Sequence, residues 1–308
     1  MAPPTIIVFG ATGHVGSAAA IQAQQLGAKV ILSVRDLQKP IHSLNLDEEK
    51  SRGFERVQAD LAQPETVESA VRSTGAKHAF IYLVRTKEGY LRPTIEALKL
   101  AGIEFVVFLS SYTVQGDIRK ITPSYLVPYA HAQVEIGLDE IFGSHGYVAI
   151  RPGYFNTNAS RWASMIREGE VKVSYPDVKF DWITPADIGR AAGTVLVQGM
   201  HATEGAEPRN SISVYGPKLL SPREAVGIFS RILGKEIKVT EQSEEEAVEY
   251  MVKAGMPPPL ARQMVTLLAE FKLNSKTHEE AVANFQKYAG QLTTLEDWAK
   301  ANQELIGG

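Results

Sequence analysis

The chain of 308 residues contains no cysteine. Disulfides, cysteine–zinc centres and cysteine nucleophiles are therefore excluded. Positive charge is not in excess: 32 Lys and Arg stand against 35 Asp and Glu, for a net charge of −3. Nucleic-acid binding through a basic surface is not expected. No apolar stretch reaches the roughly 20 residues that span a bilayer. No basic-plus-apolar leader precedes the first apolar run at Thr5. These absences leave a cytoplasmic protein without membrane contact as the expectation, and no metal centre is anticipated. Hydrophobic residues make up 44% and charged residues 22%. That balance suits a globular fold of one large domain or two modest ones.

The chain is organised around Thr5–Gly16, TIIVFGATGHVG. Thr5–Phe9 is β-branched or aromatic and reads as a strand covered on both faces of a parallel sheet. Gly10-Ala11-Thr12-Gly13-His14-Val15-Gly16 spaces three glycines as GxxGxxG. Ser17–Leu26 is then rich in helix formers, and Gly27 ends the helix. Strand, turn and helix start form a phosphate cradle to which Thr12, His14 and Val15 also belong. Gly10 permits the tight turn, Gly13 keeps a Cβ away from a pyrophosphate, and Gly16 lets the helix pack on the sheet. The free N–H groups of the helix start face the anion. Incidental glycines would give the same spacing; the flanking strand and a second strand at Lys29–Val34 favour the cradle.

Arg35 follows that second strand, about twenty residues past Gly16, where such folds read the adenine ribose. With Lys39 it is placed to clamp the 2′-phosphate of NADP through paired donors. The alternative is two exposed loop cations, and Asp36 would instead suit the ribose hydroxyls of NAD.

Further along, Asp36–Arg52 reads as a polar loop whose acidic cluster, Asp47-Glu48-Glu49, is a solvated face. Strands are predicted at Phe54–Gln58, His78–Val84, Glu104–Leu109 and Tyr147–Ile150. Helices are predicted at Pro64–Thr74, Tyr90–Ala101 and Tyr129–Phe142, with Pro128 as first helical residue. Alternating strands and helices predict an α/β fold with a doubly wound parallel sheet. Ligands sit outside the carboxyl ends of such strands, which places Leu83 beside the ligand, with Arg85 either an anion contact there or a surface charge. The second half is mostly helical, at Ala186–Val197, Pro222–Leu233, Glu244–Ala254, Pro258–Phe271 and Thr294–Leu305, with one strand at Ser211–Tyr215. Tyr154, Phe155, Asn158 and Trp162, together with Tyr112, are candidates for an aromatic substrate wall. Packing between lobes is the alternative for Trp162.

GATGHVG, VRDLQKP (Val34–Pro40), QADL (Gln58–Leu61), FLSS (Phe108–Ser111), RPGYFNTN (Arg151–Asn158) and PADIGRAA (Pro185–Ala192) occur in this order. By these motifs the chain resembles the NmrA-like family, an atypical branch of the short-chain dehydrogenase/reductase superfamily. The resemblance implies a Rossmann-type fold, NADP(H) binding and a smaller, mostly helical C-terminal substrate lobe. Residues 1–155 would hold NADP, with 184–216 returning to them, and 156–308 would form the lobe. The resemblance also implies Asp60 and Leu61 near the adenine and Ser111 as a hydrogen bond to the reacting oxygen; a capping or loop acid is the alternative for Asp60, and a strand-end serine bonded to backbone for Ser111. The superfamily's Tyr-x-x-x-Lys pair is missing from YAHAQVE (Tyr129–Glu135). His131 stands at the lysine position and Val127 one turn earlier.

His131, with Ser111 and Tyr129, is therefore the catalytic candidate, as proton donor or polar anchor. Its alternative is a neutral core histidine bonded to a carbonyl. The expected function is an NADPH-dependent oxidoreductase acting on a small hydrophobic or aromatic carbonyl, enone or quinone. An NADP(H)-sensing regulator, or a non-redox isomerase or cyclase, is the alternative. The partner is a small molecule, with a homodimer or a protein partner also open.

Overall fold

The computed structural model describes residues 3–84, 89–204 and 210–307. Thr5–Phe9 forms β1, followed by helix α1 (His14–Gln25), β2 (Lys29–Val34), α2 (Leu46–Ser51), β3 (Glu55–Gln58), α3 (Pro64–Thr74) and β4 (His78–Tyr82). Then come α4 (Arg92–Ala101), β5 (Phe105–Leu109), α5 (Leu126–Phe142) and β6 (Tyr147–Pro152). Next are α6 (Ala163–Glu168), β7 (Glu170–Val173), α7 (Pro185–Gln198), β8 (Ser211–Val214), α8 (Pro222–Leu233) and β9 (Lys238–Glu241). Helices α9 (Glu244–Lys253), α10 (Pro258–Glu270), α11 (Ser275–Ala289) and α12 (Leu295–Ala301) follow.

Seven strands form one parallel sheet in the order β3-β2-β1-β4-β5-β6-β8. Strand order reverses between β1 and β4, and that switch point leaves a crevice at the strands' carboxyl ends. Alternation along each strand explains the unbroken apolar runs. Ile6 and Val8 pack in a layer with α1 and α7, whereas Ile7 and Phe9 pack with α3, α4 and α5. Each such buried side chain stabilises the fold by roughly 1.5–3 kcal/mol.

The α1–α7 contact depends on small residues. A Cβ on Gly189 would lie 2.4 Å from the Ala18 Cβ, and one on Gly193 would lie 2.5 Å from the Ala19 carbonyl oxygen. Helix α7 is thereby drawn onto the sheet. A second, smaller core holds Trp162, Phe180, Trp182, Phe229 and Trp298. Beside it β7 and β9 make a parallel pair.

Several sequence expectations are corrected. Residues 36–52 are not all loop: Asn45 caps the short helix α2 with a capping box. Glu49 is not part of a solvated face. It is 4% exposed and receives both Arg56 Nε (2.7 Å) and Nη2 (2.6 Å). Helix α5 begins at Leu126, so Pro128 is its third residue, where a missing N–H still costs nothing. The β7–β9 pair and helix α11 were not anticipated. Helix α11 packs on α7 and β8 rather than on the smaller core: Phe285 and Ala289 join the sheet's layer, and Thr194 Oγ1 donates to the Tyr288 carbonyl (2.9 Å). Among the described residues no helix is long and apolar enough to cross a membrane.

Candidate active site

The carboxyl ends of β4, β5 and β6 open into a cavity of about 450 Å³. Tyr82, Leu83, Ser110, Ser111 and His131 line its inner edge. Tyr112, Tyr154, Phe155, Asn158 and Trp162 form further walls, so these sequence candidates converge on one space. Tyr129 does not line it; its ring stands edge-on to Tyr90 at 5.6 Å. Two residues along a helix turn through about 200°, so Tyr129 and His131 cannot share a face. Arg85 lies outside the described residues.

Helix α5 starts without a side-chain cap of its own. Gln263 of α10 supplies one, accepting from Val127 N (2.7 Å) and donating to the Ser124 carbonyl (3.3 Å). That turn also fixes His131, whose Nδ1 lies 2.9 Å from the Val127 carbonyl oxygen. A carbonyl only accepts, so Nδ1 carries the hydrogen. Burial holds the imidazole below its usual pKa. At neutral pH the ring is thus uncharged, with Nε2 as a hydrogen-bond acceptor.

One turn further, Glu135 is buried and receives Ser110 Oγ (2.5 Å), Arg151 Nε (3.1 Å) and Arg151 Nη2 (2.5 Å). Ser110, not Ser111, is therefore the serine tied to this helix. Ser111 Oγ pairs with Thr113 Oγ1 at 2.9 Å and accepts from Thr113 N at 3.2 Å. Only one hydroxyl hydrogen bridges that pair, which leaves the other to donate to a ligand.

Tyr154 packs against Phe180 at 4.4 Å and Trp182 at 5.1 Å, and burial pushes its phenol up to about 12. Tyr112 packs on Phe271 at 4.8 Å and is also pushed up by burial. Both stay protonated at neutral pH, as hydrogen-bonding groups rather than nucleophiles.

Behind them Asp181 is wholly buried, accepting from Tyr154 N (2.7 Å) and Gly216 N (2.9 Å). Desolvation outweighs those donors and pushes its carboxyl up to about 7. A carboxyl raised on folding binds its proton more tightly in the native state, so stability falls as pH rises from about 4 through 7. The melting temperature should therefore drop across this window in the wild type. Asp181→Asn should lower it at every pH yet flatten the slope, as scanning calorimetry from pH 4.5 to 8 will show.

On the nucleotide side, Gly10 adopts φ +72°, and a Cβ there would meet the Tyr82 ring at 2.5 Å. Gly16 abuts the Gly10 carbonyl, where a Cβ would come within 2.4 Å. Gly13 is exposed and caps α1 with no side chain of its own, which leaves the helix N–H groups facing a cradle that fits a diphosphate. Thr12 is half-buried in the turn, and Val15 packs in the core. His14 stands edge-on to His42 at 3.9 Å. Arg35 and Lys39 are exposed beyond β2. Asp36 accepts from Gln38 N (2.9 Å), a local turn that occupies one carboxylate oxygen. Asp60 does the same with Ala62 N (3.0 Å). Leu61 is buried in the core, and its carbonyl accepts from Thr94 Oγ1 (2.8 Å).

Sequence reasoning missed Tyr82 and the wall formed by Met251, Met264, Leu267 and Leu268 of α9 and α10. Both helices were legible as helices. Their amphipathic pattern reports an inward face but not whether core or cavity lies behind it. Among the described residues no group of three or more His, Asp or Glu is arranged to hold a metal ion.

Comparison with known proteins agrees with this architecture. The chain is 38% identical over 311 residues to the nitrogen metabolite regulation-like protein bik4 of Gibberella fujikuroi, covering 95% of this chain and 94% of that one. It is 27% identical over 265 residues to an NAD(P)H azoreductase of Xenophilus azovorans, covering 86% of each. Its fold superposes on Citrobacter sp. triphenylmethane reductase complexed with NADP(H) with a TM-score of 0.72. That match has 20% identity and covers 96% of this chain and 99% of that one. The model of the NmrA-like family matches residues 3–299, and the chain belongs to that family.

Proposed function

We propose that this chain is an NADP(H)-dependent reductase of small apolar or aromatic acceptors such as carbonyls, enones or quinones. The observation that carries the reading is that Tyr82, whose ring abuts Gly10 of a diphosphate-fitting glycine cradle, also lines a largely apolar cavity with Ser111 and His131 at its inner edge. One relative is named an NAD(P)H azoreductase, and one protein of the same fold a triphenylmethane reductase. Residues 1–155 with 184–216 would hold the dinucleotide, and most of 156–308 the substrate. Gly10, Gly13 and Gly16 would admit the diphosphate, while Arg35 and Lys39 would bind the 2′-phosphate and so prefer NADP(H) to NAD(H).

Bound NADPH would supply the hydride. The free hydroxyl hydrogen of the Ser111–Thr113 pair would bond to the substrate oxygen as charge develops there. His131 stands where relatives of the superfamily carry lysine. Its neutral ring accepts a hydrogen bond, and below its lowered pKa the imidazolium gives a proton. Turnover is therefore expected to rise as pH falls below neutrality, by up to about tenfold per unit above the inflection. His131→Gln should flatten that profile while leaving NADPH affinity within about twofold.

A second reading, a sensor of NADP(H) without turnover, is favoured by the regulation-like relative and by the missing tyrosine–lysine pair. Following NADPH absorbance with a panel of quinones and enones separates the two. Consumption supports the reductase; tight NADPH binding with no consumption on any acceptor supports the sensor.

A further inference from the structure

Two cations line the cavity away from its reactive edge. Arg161 precedes Trp162 in the turn after β6, and Lys172 lies on β7. Among the described residues no aspartate or glutamate lines this cavity. Neither cation is in an ion pair among the described residues. The carboxylates whose field reaches Lys172 are Glu170 and Glu246, and both are engaged elsewhere. Glu170 accepts from Thr240 Oγ1 (2.5 Å) and pairs with Lys238 (3.5 Å). Glu246 accepts from Ser243 N (2.8 Å) as part of a helix cap. The backbone around Arg161 is held in place, because its carbonyl accepts from Tyr250 Oη of α9 (3.0 Å).

A largely apolar cavity that, among the described residues, carries two positive groups outside any ion pair and no carboxylate is matched by an amphiphilic anion. From this arrangement we infer that the natural substrate carries an anionic substituent, a carboxylate, sulfonate or phosphate, on an apolar or aromatic body. The reducible centre lies at Ser111 and His131, and the anion lies at Arg161 and Lys172. A neutral acceptor of the same shape fills the same volume but leaves both cations facing solvent. The anion gains charge-assisted hydrogen bonds, strongest with the Arg161 fork. The inference rests on the cavity being the substrate site.

Direct binding tests it independently of turnover. Anthraquinone-2-carboxylate and anthraquinone-2-carboxamide are titrated by quenching of tryptophan fluorescence, with NADP⁺ present so that no reduction occurs. The carboxylate should bind about tenfold more tightly, and its advantage should shrink as salt rises. Arg161→Gln and Lys172→Gln should each remove part of that advantage, and the double variant nearly all of it, with the carboxamide unaffected. Equal binding of the two probes, or variants that weaken both alike, overturns the inference. With NADPH in place of NADP⁺, the same pair reports turnover. Carboxylate preference without consumption keeps the anion site and removes the reductase reading. Consumption without preference does the reverse.

Discussion

Gly13→Val is expected to abolish NADP(H) binding while leaving the protein folded. Gly13 caps α1 in an extended conformation, φ −89° and ψ 161°, which valine adopts readily. A Cβ there would come no closer than 3.3 Å to the Gly10 carbonyl oxygen and meet nothing else within 4 Å. Replacing an N-cap glycine by an aliphatic residue costs about 1 kcal/mol. The added methyls instead occupy the space that the helix N–H groups offer to a diphosphate. An affinity loss of 100-fold or more, roughly 2.7 kcal/mol, is expected in calorimetric titration with NADPH. The neighbouring glycine provides the contrast. Gly16→Val would drive its Cβ to within 2.4 Å of the Gly10 carbonyl, against backbone that cannot yield. That variant should lose its cooperative melt. If Gly13→Val unfolds as well, or still binds NADPH, the cradle has been misassigned.

That contrast also marks how far the sequence could be read. Thr5–Phe9, Lys29–Val34 and Pro64–Thr74 were legible to the residue, because burial on both faces and a proline at the helix start are local signals. The three glycines were legible as a motif, and the structure separates their duties by what each Cβ would strike. Glu49 was misread because three consecutive acids look alike, and only Arg56 across the loop singles one out. Helix α11 escaped because its buried residues Phe285 and Ala289 are few among polar neighbours, and its partner α7 is distant in sequence. The site was half legible. Residues at strand ends announce themselves by topology, so Leu83, Ser111 and Tyr154 could be placed. Tyr129 was separable from His131 already in the sequence, since two residues along a predicted helix point to opposite faces. The α9–α10 wall depends on tertiary packing that no window of sequence contains.

Glu135→Ala is expected to produce a large loss of stability, about 3–5 kcal/mol, because it leaves the largely buried Arg151 guanidinium without its anion. Arg151's side chain is only 16% exposed and Glu135's 1%, so water replaces the lost partner only in part. For a chain of this size the melting temperature should fall by roughly 10 °C. Glu135→Gln should cost less, since the amide oxygen still accepts one bond. Replacing both residues by methionine should recover most of the loss, as apolar packing substitutes for the buried pair. The functional readout is separate. Ser110 would lose its acceptor, and the carboxylate that raises the His131 pKa from one turn away would vanish. In Glu135→Gln the inflection in the pH–rate profile should therefore move to lower pH, with less imidazolium at any given pH. A melting loss with an unmoved inflection would confine Glu135 to the core. Both changes together would show that the buried ion pair also sets the proton affinity of the histidine facing the cavity.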